Sequence, residues 1–150
     1  MVDIFNRVGI DAAPETVYAA IATIEGLNDW FLTGVTGDAD KGGAIDMAAF
    51  GMEVLDADPG KFVRWKCVRG PDQWVGTELS FQLVWRDGQT YVLFKQSGWR
   101  EATEFLHHSS TKWATLLLSL RDAVESGEGR PIPRDKKVFF KEGRGAPLPF

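Results

Sequence analysis

The segment ATEFLHHSSTKWATLLLSLRDAVES, residues 102–126, decides the fold. At about 100° per residue, Ala102, Leu106, Ser109, Trp113, Leu116, Leu117, Leu120 and Val124 fall on one stripe, and Arg121, Asp122 and Glu125 fall largely outside it. Burying such a stripe is what stabilises a helix of this kind, so it must lie along an extended apolar surface. The segment follows a strand-like run closing on Gly98-Trp99 and stops at Gly127-Glu128-Gly129. Nearly everything before it reads as strands, so the pattern predicts one long helix laid across one sheet.

Working outward, Thr77 to Arg86 alternates cleanly, with Thr77, Leu79, Phe81, Leu83 and Trp85 against Glu78, Ser80, Gln82 and Arg86. Asp87-Gly88 is a hairpin signal, and Thr90 to Ser97 is the returning strand. Phe62 to Val68 places Val63, Trp65 and Cys67 on one side, between a turn at Asp58-Pro59-Gly60 and a loop at Gly70-Pro71-Asp72. Earlier strands are read at Met52 to Ala57, at Ala44 to Phe50 after Gly42-Gly43, and at Val2 to Ile10. Pro14 and Glu15 suit the first turn of a helix. Val17, Ala20, Ile21 and Ile24 then recur at helical spacing, which predicts a helix to about Glu25 ending at Gly26, with a further helical turn over Leu27 to Phe31 and Trp30 pointing inward. Short turns between strands imply antiparallel pairing. The predicted class is α+β: an about seven-stranded curved antiparallel sheet wrapped around a long C-terminal helix, with two short helices after the first strand. A curved sheet and a straight helix need not meet everywhere, so an interior hollow is expected.

The chain's 150 residues suffice for one core without disulfides or metal. We place that domain at 1–127 and a Gly/Pro-rich basic tail at 128–150. In the tail Arg130, Arg134, Lys136, Lys137, Lys141 and Arg144 face Glu128, Asp135 and Glu142, a local +3 that leaves −7 on the body. An acidic body argues against nucleic acid as a partner, because a phosphate-binding face needs clustered positive charge. The tail's charge reads as simple solvation or as docking onto the body, and Val138-Phe139-Phe140 would be ordered if it found a groove. A single cysteine, Cys67, excludes an internal disulfide framework and a multi-cysteine metal site. The N-terminus lacks a signal-peptide pattern and no apolar run reaches the roughly 18 residues of a membrane span. A soluble, cytoplasmic protein is expected, as monomer or homodimer.

Chemistry-bearing motifs are sparse. His107-His108 are helical neighbours pointing about 100° apart, so they do not share a metal as an i, i+4 pair does. Cys67 lies on an apolar strand face without a neighbouring base and reads as a small hydrophobe. Asp38 and Asp40, and Asp56 and Asp58, read as solvated turn residues, since a metal there would need further oxygen ligands. Gly60-Lys61 lacks the upstream glycine of a phosphate loop. No catalytic residue, metal ligand or cofactor is therefore assigned. Inward-facing positions carry more weight: Trp30, Met47, Trp65, Phe81, Phe94, Gln96, Ser109 and Trp113 are the expected lining of a hollow between sheet and helix, with Tyr18 and Lys112 near the stripe's edges. An apolar hollow with a few polar groups suits a small apolar or aromatic ligand. Alternatively the aromatic residues simply fill a core, and the polar ones bond one another or a buried water.

Several motifs together resemble the START-like, or SRPBCC, helix-grip superfamily, in the branch named for the activator of the heat-shock protein 90 ATPase. They are Pro14-Glu15-Thr16-Val17-Tyr18, Gly26-Leu27-Asn28-Asp29-Trp30, Gly42-Gly43, Trp74-Val75-Gly76-Thr77-Glu78, Phe94 with Gly98-Trp99, Ser110-Thr111-Lys112-Trp113-Ala114, Leu117-Leu118-Ser119-Leu120 and Glu125-Ser126-Gly127. The resemblance covers roughly residues 5–130 and implies a helix-grip fold. The superfamily includes lipid carriers, hormone receptors, polyketide cyclases and co-chaperone domains, and fold alone does not choose among them. The co-chaperone that names the branch carries a separate N-terminal domain without counterpart in these residues. Three roles follow as expectations: a binding module for a small apolar, aromatic or lipid-like ligand; a co-chaperone-like domain with a protein partner such as a chaperone, using Leu118 or Phe139-Phe140; and, less in keeping with the sequence, a cyclase- or dehydratase-like enzyme, which would need an acid–base pair in the hollow.

Overall fold

In the computed structural model, which describes residues 1–139 and 141, the chain opens with β1 (Val2–Ile10). Then come α1 (Pro14–Ile21), α2 (Ile24–Trp30), β2 (Thr36–Gly37), β3 (Ala44–Met47), β4 (Phe50–Asp58), β5 (Phe62–Arg69), β6 (Glu78–Arg86), β7 (Gln89–Trp99) and α3 (Glu104–Ser126). The seven strands form one antiparallel sheet in the order β1-β7-β6-β5-β4-β3-β2. The helix-grip arrangement is as expected, with a long C-terminal helix on one face and two short helices after the first strand. Strand β2 has no counterpart in the sequence reading, since two residues carry no periodicity.

The hairpin at Asp87-Gly88 forms with both residues at positive φ, 54° and 74°, the combination that a two-residue turn needs to match the twist of its strands. Helix α3 is capped by the Thr103 hydroxyl, which accepts from Leu106 N at 3.2 Å, and ends at Gly127 in the left-handed conformation. Its buried stripe is Ser109, Trp113, Leu116, Leu117, Ser119 and Leu120. Ala102 lies before the helix and is exposed, whereas Leu106 and Val124 are only half-buried.

Two local expectations need correction. The first helix does not run to Glu25 and stop at Gly26; it ends at Ile21, and the Thr23 hydroxyl caps a new helix by accepting from Gly26 N at 3.0 Å. Gly26 therefore sits inside α2, where a Cβ would come within 2.5 Å of Ala20 O, so the residue permits close approach of α1 and α2. Trp85, on the inward phase of β6, is 55% exposed. Period-2 alternation gives the face of a side chain but not where the covering layer ends.

Beyond Gly127 the described tail docks on the helix side of the body. Ile132 N donates to Phe31 O at 2.8 Å, and Ile132 O accepts from Thr33 N at 3.0 Å. The Ser119 hydroxyl donates to Trp30 O at 2.8 Å and accepts from Arg130 N at 2.7 Å, joining α2, α3 and the tail. Asp135 is buried and pairs with Lys112 of α3 and with Lys137. The contact thus uses an acidic tail residue on a basic helix residue, the opposite of a basic tail on an acidic body. Phe139 stacks on His108 with ring centroids 5.0 Å apart, while Phe140 lies outside the described residues.

Candidate functional site

The inward face of the sheet is built by alternation: Val63, Trp65 and Cys67 from β5, Leu79 and Phe81 from β6, and Val92, Phe94 and Gln96 from β7 are all buried. A bulge at Gly98 (φ 89°) shifts the phase of β7, with Gly98 N donating to Asp3 Oδ1 at 3.1 Å. The shift turns Trp99 inward, which simple alternation from Gln96 does not give.

All eight predicted lining residues lie in this interior: Trp30, Met47, Trp65, Phe81, Phe94, Gln96, Ser109 and Trp113 are each at most 1% exposed. Their rings pack on one another. Trp113 lies 4.3 Å from Phe94 between ring centroids, and Phe94 and Trp65 each lie 5.1 Å from Phe81. Trp30 packs edge-on to Phe81 at 6.3 Å. Two aromatic residues that the sequence reading did not place in the lining complete the stack: Phe31, 5.3 Å from Trp113, and Trp74, 5.8 Å from it. Phe31 follows the short helix and Trp74 lies in a turn, so neither belongs to a periodic run that would have marked it.

The interior polar groups form a relay. Trp113 Nε1 donates to Gln96 Oε1 at 3.0 Å, Gln96 Nε2 donates to Thr77 Oγ1 at 3.0 Å, and Thr77 Oγ1 donates to Trp74 O at 2.6 Å. Trp74 Nε1 closes the set on Ser109 Oγ at 3.1 Å. Gln96 and Ser109 therefore already serve the protein's own indoles. Two buried indole N–H groups, those of Trp65 and Trp99, have no acceptor among the described residues.

Among the described residues no group of three or more His, Cys, Asp or Glu side chains could hold a metal, and no helix is long and apolar enough to cross a membrane. His108 stacks between Phe105 and Phe139, and burial lowers its pKa, with Lys112 adding to the effect. Burial raises the Cys67 pKa, partly offset by a backbone hydrogen bond from Arg69 and by its positive charge, so the thiol resists ionisation. Asp38 Oδ1 accepts from Asp40 N at 2.9 Å, and Asp56 pairs with Arg64 at 2.7 Å, so these acids serve a turn and an ion pair. Beside the start of α3, Asp72, Gln73, Trp99, Arg100, Glu101 and Thr103 line a cleft of about 270 Å³.

The opposite face of the sheet is more open. Phe5 (70% exposed) and Leu93 (37% exposed) stand on it. With Phe62, Arg64, Glu78 and Lys95 they line a groove of about 380 Å³. Cross-strand register aligns Phe5 with Lys95, Ser80 and Arg64, and Arg7 with Leu93, Gln82 and Phe62. Arg7 lies over the Tyr91 ring at 5.3 Å, a cation–π geometry.

Comparison with known proteins places this geometry. The solution structure of the Aha1 dimer from Colwellia psychrerythraea is 41% identical, with a TM-score of 0.78, over 86% of this chain and 100% of that one. CalU16 from Micromonospora echinospora shares the fold at 18% identity and a TM-score of 0.71, over 82% of this chain and 74% of its own. A protein from Bacillus halodurans does so at 22% identity and a TM-score of 0.68, over 83% and 98%. No curated protein sequence matches. The family profile described as activator of Hsp90 ATPase homolog 1-like protein matches residues 11–125. Sequence profile, fold and the 41% identical relative agree: the chain belongs to the activator of Hsp90 ATPase homolog 1-like family, within the helix-grip superfamily.

Proposed function

We propose that this domain acts through its surface, as an Aha1-type protein-interaction module that works as a homodimer, rather than as a carrier with an enclosed pocket. The observation that carries this reading is the filling of the space between α3 and the sheet. Trp113, Phe94, Phe81, Trp65, Phe31 and Trp30 occupy it ring against ring. A ligand of ordinary size would have to displace several fully buried rings, each worth about 3 kcal/mol or more of packing. The similarity to a protein solved as a dimer supports the oligomeric part. A cytoplasmic location, in contact with folding machinery, belongs to this reading, and the free buried thiol of Cys67 fits it. The test is sedimentation of the full chain, expected to give a dimer, together with the ATPase rate of purified heat-shock protein 90 with and without it. A monomer that leaves that rate unchanged would refute the proposal.

One observation favours the small-molecule reading that the sequence suggested. The indole N–H groups of Trp65 and Trp99 are buried donors without acceptors, and an apolar or aromatic ligand carrying an acceptor would gain a hydrogen bond by reaching either. A thermal-shift screen over lipids and aromatic metabolites decides between the two. Saturable stabilisation by one class, abolished in Trp65→Phe, would establish the carrier role. No shift across the panel would leave the surface reading.

A further inference from the structure

We propose that the pocket between the outer side of α3 and the docked tail binds a small phosphate monoester, with the phosphate dianion on Arg121, Arg130 and Lys136 and the apolar part of the ester on Leu118. The site lies apart from the aromatic interior, and the inference does not depend on how copies of the chain assemble.

The pocket encloses about 210 Å³ and is walled by Thr115, Leu118, Arg121 and Asp122 of α3 and by Arg130 and Lys136 of the tail. Thr115, Leu118 and Asp122 stand at i, i+3 and i+7, on one face of the helix. That face lies outside the stripe buried against the sheet. The tail forms the other wall because it is held in place. Arg130 N donates to the Ser119 hydroxyl at 2.7 Å, and the residues on either side, Gly129 and Pro131, are buried. A Cβ at Gly129 would come within 2.5 Å of Asp29 O and 3.0 Å of Ser119 O, so glycine lets the chain pass this close. Lys136 follows Asp135, which is buried and paired with Lys112 and Lys137. The two tail cations are thus placed by contacts that their own side chains do not make.

Charge identifies the ligand. Asp135 engages Lys112 and Lys137, but among the described residues no ion pair or hydrogen bond engages the side chains of Arg121, Arg130 or Lys136. Three cations against one carboxylate, Asp122, leave the pocket two charges positive on a chain that carries −4. Like charges gathered in a cleft repel one another and draw a counter-ion. A phosphate monoester carries about −1.5 to −2 at neutral pH and offers three acceptor oxygens, which matches both the net charge and the number of cationic groups. The two guanidinium forks suit phosphate oxygens. The hydroxyl protons nearby are already committed: Thr115 donates to Lys112 O at 2.7 Å, and Ser119 to Trp30 O at 2.8 Å. Recognition therefore falls to the cations. Leu118, 44% exposed, offers apolar surface to whatever carries the phosphate. Pockets that engulf a drug-sized molecule run to about 300–1,000 Å³, so this smaller one takes a head group with a short or flat attachment.

Calorimetric titration of the full chain with phenyl phosphate at about 0.15 M salt tests the proposal, with phenyl sulfate as a monoanion of similar shape. Phenyl phosphate should bind saturably at one site with a dissociation constant of about 1 mM or lower, and phenyl sulfate about 10-fold more weakly. Arg121→Gln and Arg130→Gln should each raise the phenyl phosphate constant about 10-fold. Arg134→Gln, which removes an exposed tail charge outside the pocket, should change it less than about 2-fold. Leu118→Ala should weaken phenyl phosphate about 3-fold and leave inorganic phosphate unchanged. Backbone amide shifts of the unaltered chain give a second readout and should move around residues 115–122 and 130–136. Equal losses from Arg134→Gln and the pocket variants would reduce the binding to general charge attraction and overturn the site. Shift changes centred elsewhere, or no saturation by about 10 mM phenyl phosphate, would overturn it as well.

Discussion

Replacing Trp113 with alanine should remove a large share of the stability of this fold, and the structure gives the terms. The side chain is 1% exposed and touches Phe94, Phe31, Trp74 and Phe81, with ring centroids between 4.3 and 6.4 Å. Truncation of a packed tryptophan costs about 3–5 kcal/mol in lost transfer energy and residual cavity. It also removes the donor to Gln96 Oε1, leaving a buried acceptor unpaired at about 1–3 kcal/mol. The sum, about 4–8 kcal/mol, is comparable to the roughly 5–15 kcal/mol holding a typical domain together. Urea denaturation followed by circular dichroism at low temperature measures the loss, and Trp113→Phe provides a measurable fallback. That variant keeps most of the ring contact and should lose about 1–3 kcal/mol, largely through the orphaned Gln96. Much of this loss should disappear in a Gln96→Leu background, where neither hydrogen-bonding partner remains. A loss below about 1 kcal/mol for Trp113→Ala would mean that the ring does not carry the interior. The closed aromatic core, and the surface-based function argued from it, would then fail.

Three further outcomes can be measured directly. Burial pushes the Asp135 carboxyl up, but hydrogen bonds and charge from Lys112 and Lys137 more than offset it and hold its pKa below the usual value. Its contribution to stability is therefore present above about pH 4 and is lost as pH falls through the depressed folded value. Asp135→Asn should cost about 1–3 kcal/mol at neutral pH and nothing at strongly acidic pH, and a pH-independent difference in urea midpoint would refute the latch. Gly26→Ala forces a methyl to within 2.5 Å of Ala20 O and should lower stability by about 1–3 kcal/mol; an unchanged melting temperature would contradict the helix contact. Cys67, buried and hard to ionise, should be modified by a thiol reagent only on unfolding, so rapid labelling of native protein would show that β5 is not covered.

The readable parts of this fold are those in which one local rule governs a run of residues. Helix α3 follows from its stripe, and the β6–β7 pair follows from alternation around Asp87-Gly88. The inward set Trp65, Phe81, Phe94 and Gln96 follows from the same period. Features made by contacts between distant segments were not readable. Gly26 is a glycine because α1 passes close by, not because a helix ends there. Trp85 keeps its inward phase but outruns the layer that would cover it, and Trp99 turns inward only through the bulge at Gly98. Trp74 reaches the core from a turn with no period at all. Sequence placed the eight lining residues inside; it could not say whether rings so placed enclose space or fill it, because that depends on rotamers and on how closely α3 approaches.

The Ser119 hydroxyl, which holds Trp30 O on one side and Arg130 N on the other, has a kinetic consequence. The start of the tail cannot lift without freeing an acceptor buried in α3, and the end of α2 cannot shift without losing its donor. Exchange of the Arg130 amide with deuterated solvent should therefore track opening of the α2–α3 contact rather than the faster fraying of a chain end. In Ser119→Ala the two processes would run on separate clocks, and the amide at 130 would exchange early while the core amides of α3 stayed protected.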